Sequence, residues 1–190
     1  VDLEIIGGAA EPFEGLASGA VDVAIGVVAP EAVGLLRLVL LRERFVCLVR
    51  TDHPEVGDRL DLETFCRLPH ALISPSGRGG GVVDEALARL GRRRRIALRI
   101  RFFLAAPFAL ARSDLILTAP SRLAHELAAT LPLRVVEPPL ELPAFDLCLF
   151  FHERQRDDPG HRWLRELVQA SLAGEGAVSR DPAGGDSLGR

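Results

Sequence analysis

The feature that most constrains this chain is its opening alternation of short apolar runs, each stopped by glycine. Leu3 to Ile6 ends at Gly7-Gly8, and Val21 to Ile25 ends at Gly26. The segment between them admits Pro12 in a first helical turn and offers Gly19 near a C-cap. A buried strand, a short helix and a second strand in so few residues make a βαβ unit, which implies a parallel sheet. An α/β fold is expected from this stretch alone.

The rhythm recurs downstream. Leu35 to Leu41 and Phe45 to Val49 are strand-rich, and Thr51-Asp52-His53-Pro54 turns out of them because Pro54 disfavours helix at the residue before it. A helical turn at Asp61 to Phe65 and a short buried strand at Ala71 to Ile73 lead into a glycine-rich loop, Ser74 to Gly81. An amphipathic helix from Val82 to Leu90 follows, closed by Gly91. In Ile96 to Phe103, Ile96, Leu98 and Ile100 alternate with Ala97, Arg99 and Arg101, the pattern of a half-exposed strand. Helices at Ala105 to Ala111 and Ser121 to Ala129 flank a strand at Leu115 to Thr118; another strand follows at Leu133 to Val136. The proline-spaced linker Pro138 to Pro143 precedes a last strand, Asp146 to Phe151, and a helix from about Pro159 to Leu172.

Two clusters of βα units with a strand and helix after the second predict a first lobe interrupted by a second. The expected division is residues 1–73 with 146–173 for the first lobe and 74–145 for the second, with crossings near Ser74 and Phe145. Residues 174–190 are Gly, Pro, Ser and charge without an apolar period, and disorder is expected there.

Charge narrows the function. The chain has 23 basic and 26 acidic residues, a net charge of −3, where a duplex-DNA-binding domain usually carries a basic excess. Every basic side chain is Arg, which reads as GC-rich coding and carries no chemistry. The chain lacks Met and opens on Val1 inside an apolar run with no charged flank or cleavage site, so no signal peptide is visible and it reads as an excised fragment of a larger protein. No apolar run approaches the ~20 residues of a membrane span, and a cytoplasmic location is expected. Cys47, Cys66 and Cys148 are widely spaced among apolar neighbours, as buried free thiols are.

The order and spacing of several stretches resemble the effector-binding domain of LysR-type transcription regulators. These are Leu16-Ala17-Ser18-Gly19-Ala20-Val21-Asp22-Val23-Ala24-Ile25-Gly26, the strand Val46 to Val49 followed by Asp52-His53-Pro54, and Asp61-Leu62-Glu63 with Leu68-Pro69-His70. Ser113-Asp114-Leu115-Ile116-Leu117-Thr118-Ala119-Pro120 stands where most members carry a glycine-rich variant. That wording, with Phe151-His152-Glu153-Arg154 and Asp157 to Arg165, resembles the branch of nodulation and aromatic-degradation regulators. The resemblance covers about Val1 to Leu172. It implies a type-2 periplasmic-binding-protein-like fold, two βα lobes joined by two crossings with a ligand cleft between them. It also implies a cytoplasmic sensor that forms a homodimer or higher homo-oligomer. DNA would be bound only through a helix-turn-helix lying before Val1.

The effector-contact candidates follow from sheet logic. Ligands of open α/β sheets bind beyond the carboxyl ends of strands, which selects Gly8 and Ala9 after the first strand and Val27 after the second. In the second lobe the glycine-rich loop contributes Ser74, Ser76, Gly80 and Gly81, whose backbone N–H groups at a helix start suit an anion. Phe103, Leu104 and Thr118 are expected to face them, and Phe151 to cap the cleft. Such a lining suits an aromatic or other organic carboxylate. The loop lacks Gly-Lys-Ser/Thr and G-x-G-x-x-G, so neither nucleotide fingerprint is present. The run Arg92 to Arg95 is expected to be a solvated face. His152, Glu153, Asp157, Asp158 and His161 lack the spacing of a metal or catalytic set, and no nucleophile elbow occurs. No cofactor, metal or catalysis is expected; the competing reading is an exported solute-binding protein of the same fold.

Overall fold

The computed structural model describes residues 2–6, 12–27, 33–74, 81–101 and 105–173. Its first elements are α1 (Pro12–Ser18), β1 (Ala24–Gly26), β2 (Leu35–Glu43), β3 (Phe45–Arg50), α2 (Leu62–Arg67), β4 (Pro69–Ile73) and α3 (Val82–Arg89). They are followed by β5 (Arg95–Ile100), α4 (Ala106–Leu110), β6 (Ile116–Pro120), α5 (Ser121–Thr130), β7 (Leu133–Val136), β8 (Phe145–His152) and α6 (Pro159–Ala173). The chain divides into two compact units, residues 1–41 with 146–190, and residues 42–145.

The first boundary therefore lies between Leu41 and Arg42, where the sequence suggested a crossing near Ser74. The cause is strand pairing. β3 runs antiparallel to both β6 and β7, with Cys47 opposite Thr118 and Val136. That pairing commits the chain to the second unit some thirty residues before the glycine-rich loop. The return falls between Phe145 and Asp146.

The second unit is a five-stranded mixed sheet in the order β5-β4-β6-β3-β7. β3 explains its own composition: Val46 and Leu48 belong to one buried cluster, Cys47 and Val49 to the other. A strand covered on both faces needs an unbroken apolar run, since each alternate side chain meets a different layer. Phe65 of α2 and Val83 and Leu87 of α3 fill one face, while Ala106 and Leu110 of α4 and Ala124 of α5 fill the other. Each fully buried Leu here contributes about 1.5–3 kcal/mol relative to exposure. β5, at the sheet's edge, keeps the expected alternation, with Arg95, Ala97 and Arg99 exposed and Ile96, Leu98 and Ile100 half-buried. Arginines along an open edge discourage pairing with another chain.

The first unit holds a three-stranded sheet in the order β1-β8-β2. Here the expected opening βαβ unit is not found among the described residues. Residues 2–6 form no strand, Leu3, Ile5 and Ile6 are exposed, and β1 pairs antiparallel with β8. An apolar run becomes a strand only where a sheet edge receives it, and composition does not report that edge. The core is small: Leu16, Cys148 and Phe150, with Phe13 edge-on to Phe150 at 5.5 Å. Arg154 closes α1 by donating to the carbonyls of Leu16 and Ala17, a cation at a helix C-terminus. Gly19 follows with φ 87°, and a Cβ there would stand 3.2 Å from the same guanidinium. On α6 Trp163 is exposed, whereas His161 at the start of the helix is buried.

Candidate functional site

The carboxyl ends of β4 and β5 emerge side by side. The two strands are parallel with Ile73 opposite Ile100, and the Ser74 N–H donates to the Ile100 carbonyl at 2.9 Å. β6 is parallel to β4 as well, with His70 opposite Ile116 and Ala71 opposite Leu117, which brings Thr118 toward the same end. Gly81, at the start of α3, lies there too: a Cβ on it would be 3.7 Å from Leu72 Cδ1. The structure thus gathers Ser74, Gly81 and Thr118 at one end of the second unit's sheet. Val27, exposed, follows β1 in the first unit. Gly8, Ala9, Ser76, Gly80, Phe103 and Leu104 lie outside the described residues.

Three expectations need correcting. The Gly81 N–H, read as a donor for an anion, already donates to Asp84 Oδ2 at 2.8 Å, while the Asp84 N–H donates to the Gly81 carbonyl at 2.8 Å. The start of α3 carries its own carboxylate, three residues into the helix, as in a capping box. That carboxylate is held in turn by Arg94, whose Nε donates to Oδ1 and Nη2 to Oδ2, both at 2.9 Å. The Arg94 side chain is 1% exposed, so one member of the arginine run is a buried structural ion and not part of a solvated face. Phe151, expected to cap the cleft, is buried within the first unit: its ring lies 4.4 Å beneath the Arg165 guanidinium and 5.5 Å from the His161 ring.

The electrostatics follow from these contacts. The hydrogen bonds from Arg94 hold the Asp84 carboxyl below the usual carboxylate range, against the opposing effect of burial. His70 is fully buried; its Nε2–H donates to the Phe65 carbonyl at 2.7 Å and its Nδ1 faces Arg94 Nη1 at 3.4 Å. Burial pulls its pKa down to about 4, so the ring is neutral at physiological pH. Thr118 Oγ1 lies 3.9 Å from Cys47 Sγ, and burial pushes that thiol up to about 12, which leaves it without nucleophilic character near neutrality.

In the acidic and histidine-rich stretch that starts at the end of β8, the side chains bond to local backbone. His152 Nδ1 accepts from the Arg154 N–H at 3.2 Å, and Asp158 Oδ1 accepts from the His161 N–H at 2.7 Å. Among the described residues no group of three His, Cys, Asp or Glu side chains is placed to hold a metal ion. No described helix is long and apolar enough to cross a membrane. Arg94 and Asp84 are the residues sequence reasoning missed. The available signal was an acid three positions past the glycine that opens the helix.

Two α/β units, the first built from two separate segments of the chain and the second from the segment between them, with strand ends carrying small residues and hydroxyls, are the architecture of two-lobed effector-binding modules. Within that class the chain belongs to the LysR substrate binding domain family, whose model matches residues 1–173. It is 36% identical over 184 residues to the HTH-type transcriptional regulator SyrM 1 of Sinorhizobium fredii (strain NBRC 101917 / NGR234), covering 96% of this chain and 54% of that protein. It is 36% identical over 156 residues to the HTH-type transcriptional activator NahR of Pseudomonas putida, covering 82% of this chain and 52% of the relative. The chain thus spans about half the length of these relatives. Among solved structures, the regulatory domain of MexT, a transcriptional activator in Pseudomonas aeruginosa, superposes with a TM-score of 0.71 at 34% identity, covering 83% of this chain and 76% of that one. The effector binding domain of QuiR in complex with shikimate shares the fold, with a TM-score of 0.65 at 16% identity over 89% of this chain and 80% of that one.

Proposed function

We propose that this chain is the effector-sensing part of a cytoplasmic LysR-type regulator, binding a small organic acid between its two units and converting occupancy into a change in DNA binding. DNA would be held by a helix-turn-helix elsewhere in the parent protein, and the sensor would turn nothing over. The effector would meet Gly8, Ala9 and Val27 from the first unit, and Ser74, Ser76, Gly80, Phe103, Leu104 and Thr118 from the second. Gly81 would contribute through its lack of a side chain, since its N–H is engaged.

The observation that carries this reading is the register of β4 and β5. It sets Ser74 beside Ile100 at the carboxyl end of the sheet, the end where α/β folds take ligands. The relatives support the regulator over an exported receptor, because SyrM 1 and NahR are transcriptional regulators. QuiR, which shares the fold, is described with shikimate, a carboxylate.

A thermal-shift screen with benzoate, cinnamate and shikimate against glucose, spermidine and divalent metal ions tests the proposal. A carboxylate at a hundred times its Kd stabilises by about 2.7 kcal/mol, which in a domain of this size raises Tm by roughly 5–11 °C. The bound compound should be recovered unchanged. Stabilisation by the sugar, amine or metals alone would overturn the carboxylate reading.

A further inference from the structure

The second unit contains a largely buried polar network whose His70, Asp84 and Arg94 the effector reading does not use. It joins four places: the end of α2 through the Phe65 carbonyl, the start of β4 through His70, the start of α3 through Gly81 and Asp84, and the turn before β5 through Arg94. Burying a guanidinium is costly unless its charge is met by a carboxylate in good geometry. Here both carboxylate oxygens are engaged by Arg94, and Oδ2 takes a third bond from the Gly81 N–H. A two-pronged bond of this kind fixes orientation as well as distance.

The position of the network gives it a consequence. Gly81 and Asp84 begin the helix that follows β4, and Arg94 leads into β5, whose end is bonded to Ser74. One ion pair therefore couples the first turn of α3 to the two strands at whose ends the effector is proposed to sit. We propose that Arg94 is a positioning residue: acting through Asp84, it fixes where α3 begins relative to β4 and β5, and thereby sets the affinity of the second unit for a carboxylate. The affinity part rests on the function proposed above; the ordering part does not.

Hydrogen exchange of the 190-residue chain separates the two. In Arg94→Met the amides of Gly81 to Glu85 should exchange about tenfold faster, while those of β3 keep their rates, because local opening is eased without global unfolding. Asp84→Asn should do the same, and the double variant should go no further, as expected of two partners in one pair. Arg94→Lys keeps the charge but loses the planar fork and should fall between wild type and Arg94→Met. Unchanged exchange at Gly81 to Glu85, or equal acceleration at β3, would overturn the ordering role. For affinity, benzoate titrated into wild type and Arg94→Lys should bind about tenfold more weakly to the variant, at pH 7 where both are folded. Equal benzoate affinities would overturn the affinity role while leaving the ordering role in place. Failure of wild type to bind benzoate, cinnamate or shikimate would remove the proposed function and the affinity role together.

Discussion

His161 donates its Nε2–H to the backbone carbonyl of Asp22 at 3.0 Å, joining the start of α6 to the turn before β1 across 139 positions of sequence. Arg165, one turn later, donates to His161 Nδ1 at 2.7 Å, which leaves the ring proton on Nε2. The same guanidinium donates to the carbonyls of Gln155 and Arg156 and lies over Phe151. This group, more than an apolar seam, seats the last helix on the first unit. His161→Ala should destabilise the chain by about 1–3 kcal/mol in a urea titration, since it removes the buried ring together with its bonds to the Asp22 carbonyl and from Arg165 and its packing on Phe151. Trp163→Phe, on the exposed side of α6, should cost less than about 0.5 kcal/mol. Comparable losses from the two changes would refute this account of how α6 is held.

Acid should weaken the chain through His70. Its pKa is about 4 in the folded state and near 6.5 when unfolded, so between those values the unfolded state binds the extra proton. Stability is therefore highest above about pH 6.5 and falls by up to about 1.4 kcal/mol per pH unit as pH drops toward 4. The depressed Asp84 carboxyl contributes in the same direction lower down, losing stability as pH falls below about 4. His70→Gln should flatten the slope between pH 6.5 and 4.5 in denaturant titrations at each pH. An equal slope in the variant would show that another group carries the acid sensitivity.

The three free thiols should separate cleanly in labelling. Cys47 and Cys148 are fully buried, whereas Cys66 on α2 is partly exposed with its thiol pushed up by burial. Iodoacetamide at pH 8 should modify Cys66 alone in the native protein, slowly, and reach the other two only in denaturant. Mass spectrometry of the digested protein gives the order; early labelling of Cys47 would contradict its place in the core of the sheet.

What could be read from sequence was what period and punctuation record. The alternation of β5, the unbroken run of β3 and the glycine-to-helix step at Gly81 each leave a local trace. The ion pair does not: Arg92 to Arg95 look alike in sequence, and Arg94 differs only because Asp84 stands opposite it after the chain turns back. Phe151 was misread for a similar reason, since its position after the crossing is legible but Arg165 folding over its ring is not. The apolar run at Leu3 to Ile6 matches strand composition without a described strand to pair with. The first crossing was displaced because antiparallel pairing of β3 with β6 and β7 is a long-range choice.

Assembly gives the last prediction. If the chain pairs as its resemblance to the family implies, the homodimer faces are expected on α1 with the strand Val21 to Ile25 and on α5 with the strand Leu115 to Thr118. The structure narrows that face. β6 lies inside its sheet, paired on both sides, so only the outer surface of α5 is available there, whereas β1 stands at the end of its sheet with Ile25 and Val27 exposed. Within α5, Ala124 is fully buried, and Leu127 and Leu131 pack on the unit's own core. Ala124→Glu would bury a carboxylate, at a cost of several kcal/mol, and would report on folding rather than on assembly. His125 and Ala129 are exposed on the same helix and are the informative positions. Light scattering at micromolar concentration should find wild type as a dimer and the pair His125→Glu with Ala129→Glu as a monomer of unchanged Tm. A wild-type monomer, or a dimer that survives both changes, would show that α5 is not the surface this protein uses.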